Sequence, residues 1–433
     1  MTSKYIILKF VLSIQFLFFD IVLYGQSLNN TTSIHTKVQE RTDIIFDSLV
    51  KIRRDFHINP EVSGSEKRTS TKIADYLLSL GLEVKTNIGG YGVVGILNTG
   101  KKGKRIAWRA DIDAMPSDNP DVVDFPSINE GVRHVCGHDV NTTIALGIAN
   151  VLSSQKEELT GTVYFIFQPA EEPYTGAKAM INDGLFEMIS PSEIYGSHII
   201  PSQEGLVSTK ANWLFADQKV VEVSYKSSNK DEEIIRFTKE IISNLQNIEP
   251  DSKFWDMSTL ADPEVGLDQP NTIFKDYITI YKNFKVENQN GNISISTYVY
   301  PSNEIKAVSI IPSLKKAIAL SPYAKELAHV EFSFERAILN NDELLTESAA
   351  KSISSIYGKE NVVILYGEIP FGRGDDFAYF QEQVSGVYFL LGGSNLEKGI
   401  ISMPHSPNFQ VDENCIRTGV NYFSSLIIER LFN

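Results

Sequence analysis

Short apolar runs of strand length alternate with segments of helical spacing over much of the chain. Three runs, residues 105–111, 162–167 and 386–391, predict buried strands, and the apolar spacing of residues 143–152 predicts a helix between the first two. Strands that alternate with helices are typical of an α/β core. The chain has 433 residues, more than one hydrophobic core usually organises, so two domains or one insertion are expected.

The pattern changes in the middle of the chain. Over residues 212–312 it becomes strand, helix and then alternating strands, of which residues 292–300 are the clearest. We therefore expect a smaller α+β lid domain inserted into the core. The predicted core domain, which also carries the candidate chemistry, then has two parts, residues 26–211 and residues 313–433.

The first 25 residues resemble a secretory signal peptide. Lys4 precedes an apolar run, and the small residue Gly25 comes before polar sequence. Lys9 and Asp20 interrupt the run, which argues against a full membrane span and leaves an uncleaved anchor as the alternative. We expect residues 1–25 to be a signal peptide and the mature chain to be exported, periplasmic or secreted, without stable membrane insertion.

The amino-acid composition indicates a globular protein and excludes some classes of binding partner. Hydrophobic residues make up 42% and charged residues 22% of the chain, which is the balance of a globular protein. The formal net charge of -14 repels phosphate backbones, so nucleic acid is not an expected partner. An exported protein could pair its two cysteines, Cys136 and Cys415, but the residues around Cys136 indicate a different use.

Potential metal ligands stand at or near the ends of predicted strands. The chain has only seven histidines; His138 follows Cys136 in His-Val-Cys-Gly-His, His198 ends an apolar strand, and His405 lies near the C-terminus. Thiolate and imidazole groups suit zinc and other borderline transition metals. An isolated Cys-x-His pattern more often consists of buried polar residues in a tight turn.

Two pairs of carboxylates follow other predicted strands. Glu171 and Glu172 are adjacent after one strand, and Asp111 and Asp113 come at the end of another. Adjacent carboxylates repel each other and favour a bound cation, so one can bind metal while its neighbour takes a proton from water. An isolated Glu-Glu pair is more often an exposed acidic turn. Three strand ends with potential ligands, in a chain with so few histidines, favour the metal interpretation.

These motifs resemble, in type and order, those of one known group of enzymes. The matching segments are Arg53–Glu61, Glu66, Thr69, Arg109–Pro116, His134–Asp139, Gln168–Glu172, Gly176–Ala177, His198–Pro201, Gly374–Phe377 and Pro404–Pro407. The group is the metallopeptidase and aminoacylase superfamily, specifically its hippurate hydrolase-like and auxin-conjugate amidohydrolase-like subfamily. The resemblance implies an α/β, zinc-exopeptidase-like core of three layers with a smaller inserted α+β lid. In relatives this lid often mediates dimerisation, so a homodimer through the lid is expected.

The resemblance also implies roles for single residues. The ligands of a paired metal site are matched by Cys136, His138, Glu172, His198 and His405. Glu171 matches the general base, and Asp111 and Asp113 match groups that orient the ligands. The implied cofactors are two divalent ions per chain, zinc or manganese, which can polarise a carbonyl when about 3.5–4 Å apart. His57 and His134 also match family positions, and we expect them to form structural hydrogen bonds.

Three departures from the family concern the side of the site that holds the substrate. Asn141 stands where the family often has a histidine. No histidine occurs between His198 and His329, so the Gly-x-Gly-x-His segment of the lid is missing. The Asn-Val-Ile-Pro and Gly-Thr-x-Arg segments, which hold the substrate carboxylate in relatives, are unrecognisable near Tyr298–Ser302. The sequence therefore predicts weak activity on ordinary N-acyl amino acids and little preference for a free α-carboxylate.

Two functions of different class remain open from the sequence. The first is a metal-dependent amidohydrolase that cleaves the amide bond of N-acyl amino acids or related small peptide-like conjugates. The second is a metal-binding protein of the same fold that has lost catalysis and serves as a binding module. Glu171 favours the hydrolase, because the implied ligand set leaves this carboxylate free for proton transfer, which a binding module does not need.

Overall fold

The computed structural model describes residues 34–370 and 374–432. The predicted signal peptide, residues 1–25, lies outside the described residues. Within the two described ranges, no helix is both long enough and apolar enough to cross a membrane.

Helices and strands alternate along the chain, as the apolar pattern predicts. The helices are α1 (34–58), α2 (Lys67–Ser79), α3 (His138–Ser154), α4 (Gly176–Asn182), α5 (Leu185–Ile189), α6 (Asp231–Ser243), α7 (Glu304–Ala319), α8 (Glu343–Tyr357), α9 (Phe377–Gln381) and α10 (Asn414–Phe432). The strands are β1 (Glu83–Ile88), β2 (Gly92–Asn98), β3 (Arg105–Asp111), β4 (Met115–Pro116), β5 (Val132–Arg133), β6 (Thr162–Gln168), β7 (Glu193–Gln203), β8 (Val207–Thr209), β9 (Asn212–Trp213), β10 (Lys219–Lys226), β11 (Ile278–Ile280), β12 (Lys285–Gln289), β13 (Asn292–Pro301), β14 (Leu327–Phe334), β15 (Asn340–Asn341), β16 (Val362–Ile364) and β17 (Gly386–Ser394).

An eight-stranded sheet forms the centre of the main domain, with the strand order β1-β2-β6-β3-β7-β17-β8-β16. The strands β6, β3, β7 and β17 are mutually parallel and form its middle. The three apolar runs of the sequence are β3, β6 and β17, so the strands predicted from them are confirmed. Parallel strands covered on both faces require such runs, because neither side of the strand meets water.

Helices cover both faces of this sheet and give the domain three layers. The side chains of β3 alternate between the layers: Ile106 and Trp108 pack into a core cluster with α1, α2, α3, α8 and α10, while Ala107 packs into a second cluster with α4, α5 and α9. The predicted three-layer α/β core is confirmed. Because β3, β6 and β7 are parallel, their carboxyl ends meet at one edge of the sheet, where ligand sites of such sheets usually lie.

A second sheet forms the inserted lid. Its order is β11-β13-β10-β14. A fifth strand, β12, pairs with the first half of β13, whereas β11 pairs with the end of β13. Apolar residues on one face of β10 and β13 pack with α6 and α7. The lid sheet continues beyond the boundary predicted at residue 312, because Pro312 lies inside α7 and the later strand β14 pairs with β10.

Candidate metal centre and active site

The turn before α3 brings a thiol and an imidazole to the carboxyl edge of the main sheet. Gly137, between Cys136 and His138, has a φ of 95°, a left-handed conformation that residues with a side chain adopt rarely. His138 is the first residue of α3 and is fully buried. Cys136 and Cys415 are both free and buried, which confirms the expectation that they do not form a disulfide.

The turn after β6 carries Glu171 and Glu172. The turn has an unusual backbone, since Ala170 and Tyr174 both have left-handed φ values, 50° and 57°. Gly176 follows, and a Cβ atom at this position would collide with the carbonyl oxygen of Pro169. Strained backbone of this kind persists where the surrounding structure enforces it, and it is often found at functional sites.

Two further histidines approach the Cys136 sulfur from different parts of the fold. His198 lies on β7, with Nε2 3.3 Å from Sγ of Cys136 and Nδ1 2.6 Å from the carbonyl oxygen of Ile199. His405, in the loop before α10, has Nε2 3.1 Å from the same sulfur. His405 has a φ of 62°, and its backbone N–H donates to the carbonyl oxygen of Val135. These contacts hold both imidazoles against the thiol.

All five predicted metal ligands come together in two overlapping triads. One triad is Cys136, His138 and His198; the other is Cys136, Glu172 and His405; in each, the candidate ligand atoms lie within 4.8 Å of one another. The Cys136 sulfur belongs to both triads. The geometry therefore offers two neighbouring positions for cations with one shared ligand.

Unpartnered buried atoms in this cluster test whether metal ions fit it. Nε2 of His138 and Oε1 of Glu172 are buried, have no hydrogen-bond partner among the described residues and lie 4.0 Å apart. Buried polar atoms nearly always have a partner, so an imidazole nitrogen and a carboxylate oxygen that face each other without one indicate a place for a cation. Sulfur, imidazole nitrogen and carboxylate oxygen together suit zinc or manganese. The residues present thus fit a pair of divalent ions.

Asp113 orients the imidazole of His138. Nδ1 of His138 lies 2.9 Å from the backbone carbonyl oxygen of Asp113 and 3.0 Å from its Oδ1. The other carboxylate oxygen of Asp113 accepts hydrogen bonds from the Ser63 hydroxyl and from the backbone N–H of Glu172. With Nδ1 engaged in this way, Nε2 points to the ligand cluster, which is the arrangement that metal-binding histidines usually have.

Asp111 belongs to a buried network below the ligands. One of its oxygens accepts from Asn141 Nδ2 at 2.8 Å and lies 3.9 Å from Nε2 of His138, while the other accepts from Arg109 at 2.8 Å. Arg109 is fully buried and also pairs with Asp375 and Asp376. Asn141, the position at which the chain departs from the family, thus donates to Asp111 inside this network.

The adjacent carboxyl groups of Glu171 and Glu172 differ in electrostatic environment. Burial raises the pKa of Glu171 well above its ordinary value, and the charges of Asp375 and Asp376 act in the same direction. Burial also opposes the ionisation of Glu172, but the hydrogen bond with His405 and the charge of His138 lower its pKa to about 2. One member of the pair can therefore hold a proton while the other stays ionised.

A cavity of about 370 Å³ opens in front of the two triads. Its lining consists of Cys136, Glu171, Glu172, Tyr174, His198, Ile200, Phe215, Arg336, Gly374, Asp375, Tyr388, Leu390, Pro404 and His405. No sequence motif identifies Arg336, whose guanidinium carbon lies 4.1 Å from the centre of the Tyr174 ring. Arg336 comes two residues after β14, the last strand of the lid. It lies outside the segments that the family resemblance identifies with binding of the substrate carboxylate, so only its position after β14 could have pointed to it.

The two histidines expected to be structural have different outcomes. His57 does form hydrogen bonds, with Nδ1 2.8 Å from Asp139 and Nε2 3.3 Å from Asp121, as expected. The same expectation for His134 is wrong, because neither of its ring nitrogens has a partner among the described residues. Burial lowers the pKa of His134 to about 4, so the ring stays neutral beside His57, whose ring centre is 6.5 Å away.

Comparison with known proteins places the chain in a family. The sequence model described as Peptidase family M20/M25/M40 matches residues 107–429, which is more than half of the chain. The chain belongs to this peptidase family. The resemblance drawn from the sequence motifs is thereby confirmed, and the chain is a hydrolase that acts on C–N bonds.

Relatives of known name match over nearly their whole length. IAA-amino acid hydrolase ILR1-like 4 of Arabidopsis thaliana is 27% identical over 429 residues, 93% of this chain and 91% of that protein. N-acetylcysteine deacetylase of Bacillus subtilis (strain 168) is 28% identical over 396 residues, 88% of this chain and 96% of that protein. The YXEP protein of Bacillus subtilis, described as a dinuclear metal binding peptidase from the M20 family, has a similar structure, with a TM-score of 0.72 and 24% identity over 90% of this chain and 99% of that chain. This likeness supports the fold.

Proposed function

We propose that this protein is a metal-dependent amidohydrolase that cleaves the amide bond of N-acyl amino acids or similar small conjugates. The observation that carries the proposal is the position of Glu171. Its carboxyl group lies beside Glu172 and lines the same cavity. It belongs to neither of the two triads that share Cys136, although it also lies close to His138 and Glu172 and to Asp375 and Asp376. With the two triads supplying the ligands for a pair of ions, this carboxyl group is left in position to transfer a proton.

The five ligands would hold two divalent ions, zinc or manganese. His138 and His198 complete one position with Cys136, and Glu172 and His405 complete the other. Bound there, the ions would polarise the scissile carbonyl group and lower the pKa of the attacking water. The name of the YXEP neighbour, a dinuclear metal binding peptidase, supports a pair of ions.

Glu171 then transfers the proton. Its carboxylate takes a proton from the water as the oxygen attacks the carbonyl carbon, and it passes the proton to the amide nitrogen as the C–N bond breaks. The products are a carboxylic acid and an amine. A carboxyl group with a raised pKa can both accept and hold the proton, and such transfer contributes about 10²–10⁴-fold to the rate.

Arg336 supports an amino-acid conjugate as the substrate. Among the described residues that line the cavity, Arg336 is the only one with a permanent positive charge. A guanidinium group binds a carboxylate through two parallel hydrogen bonds, so Arg336 would hold the α-carboxylate of the amino acid that is released. A cavity of about 370 Å³ suits a small conjugate. Relatives named for N-acetylcysteine and IAA-amino acids support the same substrate class.

The test is a substrate screen combined with metal analysis. Purified protein, loaded separately with zinc and with manganese, is incubated with N-acetyl, N-benzoyl and N-indoleacetyl amino acids and with dipeptides, and the released amine is measured. We expect hydrolysis of at least one N-acyl amino acid, with about two ions bound per chain, and loss of turnover in the metal-loaded Glu171→Gln variant. Stoichiometric metal binding without hydrolysis of any substrate would favour the binding module instead.

Two further properties follow from the sequence and belong to the same proposal. The N-terminal residues support export of the mature chain to the periplasm or outside the cell. The family resemblance supports a homodimer formed through the lid. N-terminal sequencing of the exported protein and its mass in solution measure these properties directly.

A further inference from the structure

Tyr174 contacts two functional groups of the cavity. Its backbone N–H donates to the carbonyl oxygen of Glu171 at 2.7 Å, so both residues belong to one turn. Its ring lies against the guanidinium of Arg336, whose central carbon is 4.1 Å from the ring centre. Glu171, Tyr174 and Arg336 all line the same cavity. Tyr174 thus connects the residue that transfers the proton with the side chain that is proposed to hold the substrate carboxylate.

The backbone of Tyr174 is unusual for a residue with a large side chain. Its φ of 57° is left-handed, a conformation that glycine and asparagine adopt more readily than an aromatic residue does. The N–H groups of Thr175 and Gly176 both donate to the carbonyl oxygen of Ala170, which keeps the turn closed. Strained backbone of this kind often has a functional reason. A tyrosine in a conformation that favours smaller residues indicates a role for its ring.

Gly374 lies next to both members of this pair. A Cβ atom at Gly374 would be 3.2 Å from the hydroxyl oxygen of Tyr174 and 3.4 Å from a terminal nitrogen of Arg336. Both distances are shorter than most contacts of a Cβ atom, so a side chain at this position would crowd the ring and the guanidinium. Gly374 also lines the cavity. The lack of a side chain here therefore leaves room for Tyr174 and Arg336 to pack together at the cavity wall.

A ring against one face of a guanidinium does not compete for its hydrogen-bond donors. The donors of arginine lie in the plane of the group, whereas the ring contacts the face. A cation within about 6 Å of an aromatic ring centre is attracted to the ring, and the attraction increases where water is excluded. An arginine side chain also has many rotamers, and fixing one of them during binding lowers the affinity. A ring that fixes the guanidinium beforehand therefore strengthens carboxylate binding.

We propose that Tyr174 is a positioning residue, whose ring holds the Arg336 guanidinium in the orientation that binds the α-carboxylate of the substrate. The proposal rests on the proposed function, in which Arg336 receives this carboxylate. Because Tyr174 shares a turn with Glu171, the same contact fixes the carboxylate receptor relative to the group that transfers the proton. The ring of Tyr174 contributes to the affinity for the free acid and takes no part in the chemical step.

The experiment removes the ring with little disturbance of the turn. Tyr174→Asn loses the ring and accepts the left-handed conformation, whereas Tyr174→Phe keeps the ring and loses only the hydroxyl group. Steady-state kinetics of the metal-loaded proteins are measured with the N-acylalanine that the screen shows to be cleaved fastest, and with its α-amide, which has no carboxylate. Tyr366→Asn is the matched control, because the Tyr366 ring lies 5.4 Å from Nζ of Lys275 and is not part of the cavity lining.

We expect Tyr174→Asn to raise the KM for the acid by roughly three- to tenfold, the effect of losing one contact between a cation and a ring. The kcat for the acid and the KM for the amide should stay at the parental level. Tyr174→Phe should keep the parental KM for the acid, and Tyr366→Asn should behave like the parent. An equal rise in KM for the acid and the amide, or no rise for either, overturns the proposal. A lower kcat in Tyr174→Phe also overturns it, because the hydroxyl group would then take part in the reaction.

A double-mutant cycle shows whether Tyr174 acts through Arg336. In the Arg336→Ala background, Tyr174→Asn should raise the KM for the acid no further, because the group that the ring positions is gone. The same rise in both backgrounds overturns the proposal. If Tyr174→Asn fails to fold, Gly374→Ala decides, since it keeps the ring but crowds the pair. It should raise the KM for the acid and not for the amide, and a parental KM for the acid overturns the proposal.

Equilibrium titration distinguishes failure of the proposal from failure of the proposed function. If the metal-loaded parent hydrolyses no substrate, the proposed function fails, and the binding of N-acetylalanine is then compared with that of N-acetylalaninamide. Tighter binding of the acid by the parent, lost in Tyr174→Asn and kept in Tyr174→Phe, supports the positioning role of Tyr174. Equal binding of the two compounds, no binding of either, or a preference for the acid that Tyr174→Asn retains overturns it.

Discussion

Glu171 and Glu172 are neighbours in the chain, yet their surroundings shift the pKa values of their carboxyl groups in opposite directions. Burial, with the charges of Asp375 and Asp376, raises the pKa of Glu171, whereas the contacts with His405 and His138 outweigh burial and lower the pKa of Glu172 to about 2. Two carboxyl groups whose pKa values are driven apart in this way are suited to different tasks, one to proton transfer and the other to cation binding.

The two neighbours therefore give opposite results when each is replaced by glutamine. Glu171→Gln should keep the metal content of the parent and lower kcat by about 10²–10⁴-fold, because it removes a base without removing a ligand. Glu172→Gln should lower the metal content itself. Elemental analysis of each purified variant, together with steady-state kinetics on a substrate from the screen, distinguishes the two effects. Parental turnover in both variants would contradict the hydrolase assignment.

Arg336 changes the expected preference for a free carboxylate. From the missing lid segments alone, the sequence predicts that converting the α-carboxylate of the substrate to an amide or an ester slows hydrolysis little. With Arg336 in the cavity, we expect the free acid to be preferred over its amide. Arg336→Ala should raise the KM of the free acid by about 10- to 100-fold, as is typical when a hydrogen bond to a charged group is lost, and should change the KM of the amide little.

Arg336→Lys is the matched control, because it keeps the charge and loses the planar fork of donors. We expect an intermediate KM for the free acid. Equal rates for the acid and its amide in the parent protein would support the prediction made from the sequence and remove Arg336 from carboxylate binding.

The two cysteines provide an internal control for metal removal. Both are free and buried, but only Cys136 lines the cavity and belongs to the ligand triads. A bound ion should protect the Cys136 thiol from a small alkylating reagent, and a chelator should abolish that protection. Cys415 should remain unlabelled in the folded protein under both conditions. Peptide mass mapping gives the labelling of each cysteine, and a Cys136–Cys415 crosslink in nonreduced, metal-loaded protein would disagree with the structure.

The parts of the fold that the sequence predicts well are those with a strong local pattern. The central strands β6 and β17 are largely continuous apolar runs, and β3 is apolar apart from Arg105, Arg109 and Asp111, because both faces of these strands are buried. The end of the lid has a weaker pattern. β14 contains charged and exposed residues such as Glu331, and Pro312 suggests a break although it lies inside α7. The pairing between β14 and β10 joins segments that are far apart in the sequence, so a local pattern does not predict it.

The site divides in the same way. Cys136, His138 and Glu172 lie in short motifs next to strand ends, and the order of these motifs along the chain, which resembles that of a known family, selects them as ligands. Arg336 lies in no such motif, and its place in the cavity depends on how the chain returns from the lid. The hydrogen-bond partners of a buried side chain also come from distant parts of the chain, so the sequence does not predict them. His57 has such partners, whereas the His134 ring has none among the described residues.

An ion-pair cluster at the opposite end of the central strands makes a prediction about stability. Glu193, at the start of β7, accepts hydrogen bonds from Arg430 at 2.8 and 2.9 Å, from Lys104 at 2.7 Å and from the Tyr195 hydroxyl at 2.8 Å. Burial opposes the ionisation of Glu193, but these donors outweigh it and lower the pKa to about 2 from an ordinary value of 4.5. The ionised carboxylate thus links α10 and Lys104, the residue before β3, to β7.

A carboxyl group with a lowered pKa in the folded protein stabilises it fully above the pKa of the unfolded chain, and this contribution disappears as the pH falls through the folded value. Glu193→Gln should therefore lower the free energy of unfolding by about 2–3 kcal/mol at neutral pH, and the difference from the parent should close as the pH falls from about 4.5 to about 2.

Glu83→Gln is the control, because Glu83 is 60% exposed in a surface pair with Lys85 and should change the free energy by less than about 0.5 kcal/mol. Denaturant unfolding at a series of pH values measures all three proteins. A Glu193→Gln deficit that stays constant with pH would show that lost packing, and not the charge on Glu193, accounts for the effect.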